Sequence, residues 1–229
     1  MTLLLRLAAP LQSWGIAHNF NQRDTAREPT KSGVIGMIAA ALGRRRTESL
    51  DDLNTLRFGV RLDQPGTLLR DYHMVRGVER TNIHITNRYY LADAVFLVGL
   101  QGDPALLESI AIALCNPVFP LFLGRRSCPP VGPLVLGTRP LDLEDTLHDE
   151  PWQAAEWVQR KSAQPALGIV CEVPAGQEGS FLRRDVPVSF SPALRRHAVR
   201  SVVDKPAHVK PPKKHVAATT EHDAMASLT

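Results

Sequence analysis

Three observations predict an α+β fold for this chain of 229 residues. Strand-like and helix-periodic runs follow one another in the order β-α-β-β-α-β over residues 2–138. A long insertion of alternating polar and apolar residues, 64–90, separates the two middle strands. Strand-like segments return after residue 139. The order is that of a ferredoxin-like body, a pattern also used by RNA-recognition (RRM-like) folds. The insertion is too long for a turn and reads as a protruding β-hairpin thumb. The part from about residue 139 reads as a second β-rich C-terminal layer on the same body.

Each element has a local reason. Residues 2–8, TLLLRLA, form the first strand; Arg6 interrupts the apolar run and no cleavage region follows, which argues against a signal peptide. In KSGVIGMIAAALG, Val34, Ile35, Ile38, Ala41 and Leu42 recur at helical spacing. Thr30 or Ser32 can cap that helix and Gly43 can stop it. RFGVRLD (57–63) is the second strand, LADAVFLVGL (91–100) the third and GPLVLGT (132–138) the fourth, with the helix PALLESIAIALC opening at Pro104. A helical stretch around PWQAAEWVQRK precedes strand-like LGIVCEV and RRDVPVSF. From Lys205 the composition shifts to prolines and four of the six lysines, with no apolar period. Residues 1–204 are therefore expected to form the body and 205–229 a disordered basic tail.

Composition excludes several classes. The 44% apolar and 22% charged content is that of a soluble globular protein, and no apolar run reaches membrane-spanning length. Cys115, Cys128 and Cys171 are odd in number and lack a C-x-x-C pair, which fits reduced cytoplasmic thiols rather than disulfides or zinc. Phosphate-loop, H-E-x-x-H, G-x-S-x-G and dinucleotide patterns are missing, and the carboxylates are dispersed. Neither a metal nor a cofactor is expected, and no catalytic residues are assigned. The one enzymatic alternative is a metal-independent endoribonuclease, for which Tyr72, His73 and Lys31 have the required chemistry.

Of 27 basic residues, 21 are arginine, the side chain that grips phosphate through a planar fork. Three places concentrate this chemistry. LFLGRRSCPP (121–130) delivers Arg125 and Arg126 at the end of an apolar run, on a loop stiffened by two prolines. The insertion LLRDYHMVRGVERTNIHITNRYY (68–90) holds all three tyrosines with Arg70, Arg76 and His73. Interleaved cations and rings suit a single-stranded nucleic acid. The helix entry REPTKSGVIG offers unpaired N–H groups, Lys31 and Ser32 to a phosphate.

Four blocks together resemble a known family. LLLRLAAPLQSWG, PTKSGVIGMIAAALG, LRDYHMV and LFLGRRSCPPVGPLVLGT look like the CasD-type subunits of the type I-E CRISPR Cascade complex, in the family's order and at similar spacing. The likeness is clear over residues 1–138, thinner from 139 to 204 and absent from the tail. It implies a non-catalytic subunit that caps the 5′ handle of crRNA. Its partners would be the backbone subunit and the large subunit, with target DNA met only indirectly and no membrane. Carried onto this chain, the expected RNA-facing residues are Gln12, Trp14, Lys31, Ser32, Arg70, Tyr72, His73, Arg76, Arg125 and Arg126. Trp14 suits packing as well as base stacking.

Overall fold

The computed structural model describes residues 1–15, 18–19, 22–76, 83–161, 166–207 and 209. Strand β1 (Thr2–Ala8) leads into three short strands, β2 (Leu11–Gln12), β3 (His18–Asn19) and β4 (Gln22–Arg23). Helix α1 (Lys31–Ala41) starts where the Thr30 hydroxyl accepts from the Gly33 N–H at 3.2 Å. It ends at Gly43, whose φ of 75° lets the N–H groups of Gly43 and Arg44 fold back onto Ala40 and Ala39. A short α2 (Asp51–Asn54), which the periodicity did not suggest, precedes β5 (Arg57–Gln64).

The insertion is a hairpin of β6 (Thr67–Arg76) and β7 (Ile83–Ala92), followed by β8 (Val95–Gln101). The expected third strand at 91–100 is thus divided. Leu91 and Ala92 belong to the hairpin, and Asp93 turns the chain at a φ of 55°. Helix α3 (Pro104–Cys115) begins at Asp103, whose carboxylate accepts from the Leu106 N–H at 3.0 Å, with Pro104 in the first turn where its missing N–H costs nothing. Then come β9 (Val135–Arg139), α4 (Leu143–Asp149), the brief α5 (Glu156–Gln159), β10 (Leu167–Val173), β11 (Phe181–Ser189) and β12 (Arg196–Ala207).

Seven strands form one sheet in the order β11-β12-β10-β5-β8-β1-β9, every neighbouring pair antiparallel. The expected second C-terminal layer is corrected here. β10 pairs along β5, from Ile169↔Arg61 to Cys171↔Gly59, so β10–β12 widen the first sheet. An open β5 edge would leave main-chain donors and acceptors unpaired, and a further antiparallel strand satisfies them. The tail boundary is corrected too: β12 runs to Ala207, and Lys205 pairs with Glu144 at 2.7 Å. The rest of the expected tail, apart from Val209, lies outside the described residues.

Alternation along β1 sends Leu3, Leu5 and Leu7 into one core with α1 and α3, and Leu4 into another under α4. Polar clamps close the second core. Buried Arg61 pairs with Asp63 and donates to the carbonyls of Leu147, Glu150 and Pro151. A smaller sheet is built on the hairpin. β7 is flanked by β6 on one side, and on the other by β2 and by β4, which runs parallel to it at Gln22↔Asn87 and Arg23↔Arg88.

Candidate nucleic-acid interface

The hairpin pairs residue against residue from Thr67↔Ala92 to Arg76↔Ile83, so its side chains sort onto two faces. Leu68, Arg70, Tyr72 and Met74 share one face with Tyr89, Asn87 and Ile85. Leu69, Asp71, His73 and Val75 share the other with Tyr90, Arg88 and Thr86. Arg70 is exposed, and Tyr72 shows 57% of its surface to solvent. The first face thus presents a cation beside a free ring, the pair of contacts a phosphate and a splayed base require. His73 faces the other way and meets Asp71 at 2.5 Å. Arg76 ends β6, and its side chain lies outside the described residues.

The Arg125–Arg126 loop divides its labour. Gly124 has a φ of 87°, and a Cβ there would fall 1.6 Å from the Ser13 carbonyl oxygen, so the loop seats directly on the segment after β2. Arg125 turns inward. It donates to the carbonyls of Tyr89 (3.0 Å) and Arg23 (2.7 Å) and lies 4.5 Å over the Tyr90 ring. The expected pair of RNA-gripping prongs is therefore half structural: Arg125 ties the hairpin's base to β4, and exposed Arg126 alone remains free to meet a ligand.

Gln12 and Trp14 are corrected as RNA contacts. Gln12 is fully buried; its amide donates to Leu7 and Ala94 carbonyls, and its oxygen accepts from the Trp14 indole at 3.2 Å. Trp14 is 1% exposed and packs so closely on α1 that a Cβ on Gly33 would lie 2.8 Å from its ring. Both serve the core where the hairpin joins the body.

The start of α1 is corrected as well. Lys31 is buried, with its ammonium 2.9 and 3.2 Å from the Glu172 oxygens. Its backbone N–H donates to Asp185 Oδ2 at 2.9 Å, so a carboxylate from β11 already occupies the positive end of the helix. Arg200 pairs with the same carboxylate at 2.6 and 2.9 Å and lies 5.0 Å over the Phe58 ring. Burial pushes the Asp185 carboxyl up, but the Arg200 hydrogen bonds and charge, with the Lys31 N–H, outweigh it and hold the group below its ordinary value. Lys31, Tyr72 and His73 consequently do not assemble as ribonuclease groups. The first is locked inside, and the other two point to opposite hairpin faces.

Ser32 does reach a cavity, one that sequence reasoning did not foresee. About 200 Å³ in volume, it is walled by Gly15, Thr30, Ser32, Arg184, Asp185, Arg195 and His197. A neighbouring cavity of about 350 Å³ shares Thr30, Arg184 and Asp185 and extends to Thr25, Arg27, Glu28 and Arg183. The signal was present in the doublets Arg183–Arg184 and Arg195–Arg196, the same pattern that drew attention to 125–126. Burial raises the thiols of Cys128 and Cys171, the latter to about 12, so neither is a ready nucleophile.

The fold has known counterparts. The profile of the CRISPR-associated protein (Cas_Cas5) family matches residues 2–203. A relative from Escherichia coli (strain K12), "CRISPR system Cascade subunit CasD", is 40% identical over 213 residues, 83% of this chain and 90% of the relative. A solved "CRISPR RNA-guided surveillance complex" contains a chain with a TM-score of 0.77 and 36% identity, each chain covered over 91%. A second, "Crystal structure of Cas protein", gives a TM-score of 0.74 and 40% identity over 92% of this chain and 98% of that one. With nearly its whole body matched, the chain belongs to the CRISPR-associated protein (Cas_Cas5) family.

Proposed function

We propose that this chain is a non-catalytic RNA-binding subunit of the type I-E CRISPR Cascade complex, holding the 5′ handle of crRNA. Its body is read as ferredoxin-like, because the strand order β9-β1-β8-β5, with α1 and α3 on one face, is the arrangement that β-α-β-β-α-β connectivity produces. The backbone and large subunits are its proposed protein partners, with target DNA met through them. The relative named as a Cascade subunit and the RNA-guided complex among the similar structures support this assignment.

The observation that carries the reading is the hairpin face. Arg70 and Tyr72 stand exposed, two residues apart on one strand, with Tyr89 and Asn87 opposite them. The hairpin is tied down at its base by Arg125. Binding without turnover needs such a fixed arm and no acid–base pair.

The test uses the purified full chain and repeat-derived handle RNA. Binding should weaken with salt as counterions are released. Tyr72→Ala should weaken it about 5- to 150-fold, the worth of one stacked base. RNA recovered after long incubation with chelator should be uncut. A single defined cut that persists in chelator and disappears in His73→Ala would replace this reading with the ribonuclease one.

A further inference from the structure

We infer that the cavity between the start of α1 and the β11–β12 pair seats one backbone phosphate of the bound RNA, held by Arg184 and Arg195. This rests on the RNA-binding reading above and adds a second point of attachment, away from the hairpin's exposed face. Four of the five arginines of β11, β12 and their connection divide sharply, and the fifth, Arg196, is exposed and does not line the cavity. Arg183 is paired with Glu28, and Arg200 with Asp185. Among the described residues Arg184 meets a main-chain oxygen, that of His197 at 3.3 Å, and Arg195 lies 6.0 Å over the Phe190 ring. Among the described residues neither has a carboxylate partner, and both face the cavity.

The lining specifies the ligand's chemistry. Two hydroxyls, two guanidinium groups, the His197 ring and a glycine wall the cavity, with no aliphatic side chain among them, so hydrogen-bond donors suited to phosphate oxygens converge on it. Asp185 also borders it, but that carboxylate is satisfied by Arg200 and the Lys31 N–H and leaves the Arg184 and Arg195 charges uncompensated. The helix terminus itself is not the seat, since Asp185 fills it. The Ser32 hydroxyl, 3.4 Å from Thr30 Oγ1, can turn to donate to a bound oxygen. The volume, about 200 Å³, is enough for a phosphate group with bound water.

The chain also links this seat to the hairpin. Arg23, whose carbonyl is held by Arg125, pairs with Arg88 of β7. Ala26 is fastened to Trp14 at 2.6 Å, and Thr30 stands on the cavity's rim. One segment, residues 22–30, therefore runs from the hairpin's flank to the arginine cavity.

The experiment scans handle RNA in which one linkage at a time is a neutral methylphosphonate, against the full-length protein and its Arg184→Gln/Arg195→Gln variant. One linkage should weaken wild-type binding about 10- to 100-fold, the range of a charge-assisted contact, and have no effect in the variant. Ser32→Ala should reduce the loss at that same linkage, and it serves as the second variant if the double one unfolds. The slope of log K against log salt should fall by about 0.7 in the double variant and not in Arg46→Gln, an exposed control after α1. If the wild type binds RNA but every linkage behaves alike in both proteins, the cavity inference is overturned and the RNA-binding reading stands. If the wild type binds no RNA, both fall.

Discussion

Lys31→Met separates a structural lysine from an RNA-contacting one. The Lys31 ammonium lies 2.9 and 3.2 Å from the Glu172 carboxylate, with 2% and 20% of the two side chains exposed. Without it, Glu172 keeps a single donor among the described residues, the Phe58 N–H at 3.2 Å. Breaking a fully buried pair costs about 3–5 kcal/mol, and the partial exposure of Glu172 places this case near 3 kcal/mol. At about 2–4 °C per kcal/mol for a chain of this size, Tm should fall by about 6–12 °C. Adding Glu172→Gln removes the stranded charge, leaves an amide oxygen for Phe58 and should restore at least half of the loss. Thermal unfolding followed by circular dichroism at neutral pH measures both. Salt titration of RNA binding, at a temperature where both proteins are folded, should give Lys31→Met the wild-type slope. A Tm within about 1 °C of wild type, or a double variant no more stable than the single, would refute the buried-pair argument. A slope lower by about 0.7 would return Lys31 to the RNA.

Three further outcomes follow from the geometry. Gly124→Ala places a Cβ against the Ser13 oxygen at a φ of 87° and should lower Tm by several degrees, since the loop must lift and lose the Ser13–Leu123 hydrogen bond; an unchanged Tm would mean the loop is not seated there. The Asp185 carboxyl titrates below its unfolded value of 3.8, so its stabilising contribution is whole above that pH and is lost as pH falls through the folded value. The Tm gap between wild type and Asp185→Asn should therefore be constant from about pH 8 to 5 and close below about pH 4; a gap that widens on acidification would reverse the sign. Arg126→Ala should weaken RNA binding with Tm unchanged, whereas Arg125→Ala should lower Tm and speed hydrogen exchange in β7. Identical behaviour of the two would contradict their opposite orientations.

Much of the body was legible because its signals are local. Thr30, Gly43 and Pro104 mark helix ends within a turn of where they act. Alternation in β6 and β7 is likewise a property of neighbouring residues. The site was less legible because its side chains are claimed by distant partners. Glu172, which captures Lys31, is 141 residues away, and Asp185, which fills the start of α1, is 154 away. Nothing in REPTKSGVIG announces either. Arg125 looked like half of a phosphate fork because its true acceptors are main-chain oxygens, which leave no trace in residue identity. The β10–β12 extension was misread for a similar reason: strand pattern reveals a buried face but not which edge the strand will join.

The grip of Arg125 on two carbonyl oxygens has a consequence for how such an arm can change. A tether that holds main chain makes no demand on the side chains at 23 and 89, and asks only for an aromatic floor at 90. The outward face of the arm can then be rewritten, residue by residue, to suit another guide sequence or another neighbour, while the angle at which it leaves the body stays fixed.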